Sequence, residues 1–195
     1  MKKLIQTLAL AAVVVVSGAS FTACKKGEND PGLSLKSRKG RLTGEWKVTK
    51  ADMTQTSGGS TSSTKIDGTT ITQTSGGGSI TGTCAYTLTI DKEGTYEFKQ
   101  SETYGGITNN RTEKGRWSFL GKNKDAEVKN KEAILMLVTS SDNGTSTTTY
   151  TTPDNGSVWM IDQLKNKEMI VKGKTSMTSG SSTSTTEYSY TFEQD

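Results

Sequence analysis

The chain contains no histidine and only two cysteines, Cys24 and Cys84, among its 195 residues. Without imidazole there is no Ser-His-Asp triad, no His-activated thiol, no imidazole metal ligand and no histidine-ligated haem. Two thiols do not build a four-cysteine zinc or iron–sulfur site within one chain. The sequence therefore predicts no metal centre, no cofactor and no catalytic residue. Apolar residues are also scarce, at 30% of the chain. Hydroxyls are abundant instead, with 33 Thr and 22 Ser. The length suits one domain of ordinary size.

The longest apolar run lies at the start. Lys2 and Lys3 precede Leu4 to Val16, which is apolar apart from Gln6 and Thr7. That run is too short for the roughly 20 residues of a spanning helix. A positive start, a short apolar stretch and then small residues read as a secretory signal peptide over residues 1–23. Phe21-Thr22-Ala23-Cys24 resembles the bacterial lipobox, with Phe21 where Leu is usual. Loose lipoboxes of this kind are familiar in Bacteroidota-type lipoproteins. The resemblance implies that Cys24 is acylated and becomes the membrane-anchored N-terminus. Lys25 follows it, not the Asp of inner-membrane retention, so the expected location is the outer membrane of the cell envelope. An ordinary signal peptide with an incidental cysteine is the alternative.

Without residues 1–23, apolar residues fall to about 26%, and Leu, Ile, Val and Phe to about 14%. The second value is in the range where disorder competes with folding. Disorder also favours high net charge, and here basic and acidic side chains nearly cancel, at 22 and 20. The residue pattern must decide.

From Gly44 onward the apolar period is two, the mark of strands with one buried and one wet face. Cys84, Tyr86, Leu88 and Ile90 share a face, as do Tyr96 and Phe98, Trp117 and Phe119, and Tyr188, Tyr190 and Phe192, each set alternating with mostly polar residues. Ala133 to Val138 is apolar on both faces and is expected to be covered on both. Asn143-Gly144, Asn155-Gly156, Lys92-Glu93-Gly94 and Tyr104-Gly105-Gly106 supply tight turns. Strands are expected over 44–57, 60–74, 79–91, 94–104, 107–120, 131–141, 145–152, 157–164, 167–177 and 183–194. Short turns join antiparallel neighbours. The expectation is an all-β, up-and-down meander closed into a barrel of about 8–10 strands, since closure removes exposed edges. Residues 24–40 read as a flexible tether and 41–195 as the barrel domain. Ser34 to Arg41 reads at most as a short helix stopped by Gly40. The Thr/Ser tracts at 54–64, 69–75, 145–152 and 178–186 read as hairpin tips solvated on both faces, or else as mucin-like linkers.

Leu42-Thr43-Gly44-Glu45-Trp46-Lys47-Val48 looks like the Gly-x-Trp start of lipocalin-like domains. Asp91-Lys92-Glu93-Gly94-Thr95-Tyr96, Gly115-Arg116-Trp117, and Trp159 to Leu164 followed by Met169-Ile170-Val171 resemble later pieces of bacterial lipocalin-like lipoproteins. The resemblance spans most of residues 42–175. It implies a lipocalin-like barrel with Trp46 plugging the closed end and a small apolar ligand inside. Lipocalins often pack a last-strand Arg over that Trp. None occurs in 183–194, which leaves Lys172 or Lys174 as substitutes lacking a guanidinium plane.

The expected barrel interior is Trp46, Tyr86, Leu88, Tyr96, Phe98, Trp117 and Trp159. These side chains either line a pocket or fill a barrel too narrow to hold anything. Cys84 reads as a buried inert thiol, or as one half of a disulfide between two copies. The run Lys36, Arg38, Lys39 and Arg41 lies near the proposed anchor and suits anionic head groups or plain solvation. Asp67, Asp142 and Asp154 sit in Gly-rich turns and lack calcium-loop spacing. An exported chain rarely meets nucleic acid, so none is expected as partner. Two functions remain open: a ligand-binding module, or a non-enzymatic surface protein contacting a protein or glycan through its Thr-rich hairpin tips. An envelope hydrolase is disfavoured by the missing histidine.

Overall fold

A computed structural model describes residues 29–31, 34–125, 128–150, 156–179 and 182–195. Cys24, the leader and Asp154 lie outside them. The fold is almost wholly β, with 71% of residues in strands. Among the described residues eleven strands follow a short helix: α1 (Arg38–Leu42), β1 (Gly44–Ser57), β2 (Ser60–Asp67), β3 (Thr70–Ser75), β4 (Gly78–Ile90), β5 (Thr95–Tyr104), β6 (Ile107–Phe119), β7 (Ala133–Asp142), β8 (Thr147–Thr149), β9 (Gly156–Leu164), β10 (Glu168–Ser179) and β11 (Ser182–Glu193). Ten of them close into an antiparallel barrel, because β6 pairs with β7 and β11 with β1. The three residues of β8 pair only with β7, outside the ring.

The barrel changes strand number along its axis. At the Trp46 end, Gly44–Lys47 pairs directly with Thr87–Ile90, so eight strands close the ring. Farther along, the β2–β3 hairpin enters between β1 and β4 and widens it to ten. The hairpin's turn is stitched into the junction: Gly68 N–H donates to Thr49 O and Cys84 N–H to Thr69 O, both at 2.8 Å. Gly68 takes φ 59°, a conformation glycine adopts without strain. This turn corrects the expectation of one strand over 60–74. The run of Thr on both sides of Asp67-Gly68 keeps strand propensity high through a reversal.

The closed end is packed solid. Trp46, Leu42, Leu88, Phe192, Leu164 and Met169 are fully buried there. Trp46 Nε1–H donates to Leu42 O at 2.8 Å and Trp117 Nε1–H to Asp91 O at 2.9 Å, so neither buried indole N–H is left unmet. Lys172 and Lys174 do not cover Trp46. They pair with Asp162 (3.1 Å) and Glu187 (2.6 Å) on the outer face. The expected cover of Ala133–Val138 on both faces holds for Ala133 and Ile134, whereas Leu135 and Leu137 are half-buried.

Within the expected tether 24–40, Asp30 and the start of α1 at Arg38 pack against the barrel. Asp30 is buried, accepting a hydrogen bond from Leu164 N–H at 2.9 Å and pairing with Arg38 and, at 3.0 Å, Arg41. Ser37 caps α1 by accepting from Gly40 N–H, which aims both arginines inward. Arg38 and Arg41 are therefore part of the closed end, not a solvated or head-group-facing patch. Lys36 and Lys39 alone of that run are exposed.

The Thr/Ser tracts form hairpin arms at the wide end. Facing hydroxyls bond across the strands: Thr74 to Ser79 and Thr103 to Thr108 at 2.8 Å, Ser176 to Thr185 and Thr178 to Thr183 at 3.2 Å. Cross-strand pairs of this kind stabilise a two-stranded arm that has little apolar face. In the Gly58-Gly59 turn both residues have positive φ, the geometry that joins twisted strands through two residues.

Candidate functional site

On several strands the inward face runs from apolar at the closed end to polar at the wide end. On β5, Tyr96 and Phe98 give way to Gln100 and Glu102; on β3, Ile71 gives way to Gln73; on β2, Ile66 gives way to Thr64. Arg111 and Asn109 face Gln100 and Glu102 from β6. Together with Met53, Tyr86 and Tyr190 they enclose an open cup of about 640 Å³ at the wide end, with Asn143 and Thr145 at its rim. Small-molecule sites commonly fall within about 300–1,000 Å³.

Tyr86, Tyr190 and Met53 form the floor. Tyr86 Oη donates to the Glu102 carboxylate. Burial, reinforced by that carboxylate, raises the Tyr86 pKa well above the ordinary phenol value. Burial, with Tyr188 close by, pushes Tyr190 up to about 12. Both hydroxyls therefore stay protonated at neutral pH. On the wall, Arg111 lies 3.5 Å from Glu113, which also accepts from Tyr96 Oη at 2.8 Å. Cys84 is a buried free thiol directly opposite Glu102, and burial raises its pKa. A protonated, buried thiol is a poor nucleophile.

Of the expected interior residues only Tyr86 reaches the cup. Below it, Phe98 meets Tyr86 edge-on at 5.9 Å and Trp159 at 6.4 Å, and Trp159 stacks on Tyr190 and Phe192 at 6.2 and 6.0 Å. Trp46, Leu88, Tyr96 and Trp117 are likewise core residues, each 7% exposed or less. Cys24 lies outside the described residues. Sequence reading missed Gln73, Gln100, Glu102, Asn109 and Arg111. Continuing the inward parity of Ile71, Phe98 and Trp117 past the last apolar residue was the signal that locates them.

A second, more open groove of about 500 Å³ runs along β1, β11 and β10, between Asp52, Lys172, Lys174 and Glu187. Its charged side chains are mostly paired on the outer face. No group of His, Cys, Asp and Glu residues suited to a metal ion occurs among the described residues. No family model matches the chain, and no curated protein or solved structure matches it. The closed antiparallel barrel is consistent with a lipocalin-like architecture.

Proposed function

We propose that this chain is an outer-membrane-anchored, lipocalin-like lipoprotein that binds a small ligand without transforming it, and that the ligand sits in the wide-end cup. One observation carries the reading: the described residues of the wide end enclose this cup, while the aromatic set expected to line an apolar cavity is packed against itself. That packing speaks against an apolar ligand deep in the barrel. The ligand class shifts to molecules with a polar rim and one apolar face, resting on Tyr86, Tyr190 and Met53.

The N-terminal segment at Asp30 and the cup lie at opposite ends of the barrel. Asp30 holds the N-terminal segment at the closed end, beside Leu164. Six residues from Cys24 reach at most about 20 Å. Acylation at Cys24 thus keeps the closed end near the bilayer and turns the cup outward. The outer face of the barrel carries paired charges such as Lys99 and Lys114 on Glu97 and Lys65 on Asp52. A barrel embedded in lipid needs an apolar outer band instead. A second reading, a surface protein contacting a protein or glycan through the Thr-rich arms, rests on the arms surrounding the mouth.

Cys24→Ala should release the protein from the membrane fraction, and persistent attachment would contradict the anchor. Native mass spectrometry of the extracted full-length protein should reveal a bound small molecule or uptake of one from a mixed panel of lipids, sugars and amino acids. Failure with every member of the panel would favour the second reading.

A further inference from the structure

We infer that the cup takes a short neutral carbohydrate; this rests on the reading of the cup as the ligand site and names its ligand. The walls are built from groups that both donate and accept. Gln73, Gln100 and Asn109 line the cup, and each carries an amide oxygen and an NH₂ group. A polyol presents hydroxyls that are donor and acceptor in turn, and amides answer both roles.

The charges in the cup are already engaged. Glu102 accepts from Tyr86 Oη, and Arg111 faces Glu113 at 3.5 Å. Among the lining residues the one guanidinium, Arg111, is met by Glu113 and the one carboxylate, Glu102, by the Tyr86 hydroxyl, so neither is left free to select an ion. An acyl chain fits worse still. It would strip water from three amides and return no hydrogen bond, and a polar group buried without a partner is costly. The floor suits the remaining requirement. A pyranose has a C–H face that packs on apolar and aromatic surface, here the rings of Tyr86 and Tyr190 beside Met53. The volume of about 640 Å³ admits one or two sugar rings.

The test uses full-length protein purified in a detergent without a sugar head group. Isothermal titration calorimetry is run with glucose, N-acetylglucosamine, maltose, lactose and chitobiose, and a fluorescent fatty acid is titrated in parallel. At least one neutral saccharide should bind saturably. Gln100→Ala and Asn109→Ala should each weaken it about tenfold or more, with near-ultraviolet circular dichroism unchanged. Asn109 is exposed, so its variant keeps the test meaningful if Gln100→Ala fails to fold. Lys172→Ala on the outer face should leave binding unchanged. Saturable fatty-acid binding weakened by the cup variants, without saccharide binding, overturns the carbohydrate inference and leaves the ligand cup standing. Saccharide binding indifferent to both cup variants overturns the placement, and binding of neither probe class overturns the carbohydrate inference and removes the support for a ligand cup.

Discussion

Tyr188 lies across Gly173, the residue directly opposite it in the β10–β11 pair, so that a Cβ at position 173 would collide with the tyrosine ring. Two more tyrosines do the same. Tyr96 covers Gly115, and Tyr104 covers Gly82, where an added Cβ would come within 2.5 and 2.6 Å of the ring carbons. Each ring lies along the inner wall over a strand neighbour that lacks a side chain, the arrangement by which aromatics shield glycines in sheets. Three flat tyrosines leave the barrel's centre to other groups.

The first prediction follows from that contact. Gly173→Ala forces the Tyr188 ring aside and should cost about 1–3 kcal/mol, the usual range for overpacking. Pairing it with Tyr188→Ala should recover most of that loss in a double-mutant cycle measured by urea unfolding. Additive effects would show that the two residues do not compete for the same space.

Tyr188→Phe should behave differently. The Tyr188 hydroxyl is buried without a hydrogen-bond partner. Removing it takes away an unmet polar group at nearly constant shape, so stability should hold or rise by up to about 1 kcal/mol. A loss greater than 1 kcal/mol would reveal a partner for that hydroxyl.

Asp30 joins the N-terminal segment to the closed end through Arg38, Arg41 and Leu164 N–H. Burial, reinforced by the neighbouring Arg41 charge, lowers the Arg38 pKa to about 10. Asp30→Ala leaves two buried guanidiniums without this carboxylate and should cost about 3–5 kcal/mol by chemical denaturation. It should also expose the chain near Arg38 to trypsin. A stability change under 1 kcal/mol would mean the segment is not held by this pair.

High pH should unfold the barrel. Tyr190 rises from 10.0 to about 12, chiefly through burial. A group whose folded pKa lies above its unfolded value stabilises fully below the unfolded pKa, and that stability is lost as pH rises through the folded one. The window is therefore about pH 10 to 12. Tyr86 and Tyr96 shift in the same direction for the same cause. Absorbance of ionised phenol should rise together with loss of β circular dichroism. Full titration near pH 10 with the fold intact would contradict the burial of these rings.

The strands were legible in the sequence because alternation survives wherever one face is buried. Gly44–Ser57 falls where expected, and Trp46, Leu88 and Phe98 point inward as their period requires. The Asp67-Gly68 reversal escaped because the surrounding threonines favour strand on either side of it. Arg38 and Arg41 read as solvent-facing because their partner Asp30 lies eight and eleven residues away, with no period to link them. Hydrophobic patterning singles out the half of the barrel where side chains pack against one another, whereas the cup lies in the other half. The cup is lined by inward polar residues, which the same alternation places once it is followed past the last apolar position.

The most direct test is methyl NMR with ¹³C-labelled methionine. Met53 lies in the cup floor, whereas Met136 and Met169 are buried in the packed core. On titration with a bound saccharide, the Met53 methyl should shift while Met136 and Met169 stay fixed. Shifts at Met136 or Met169 with Met53 unmoved would place the ligand in the lower barrel and contradict the account.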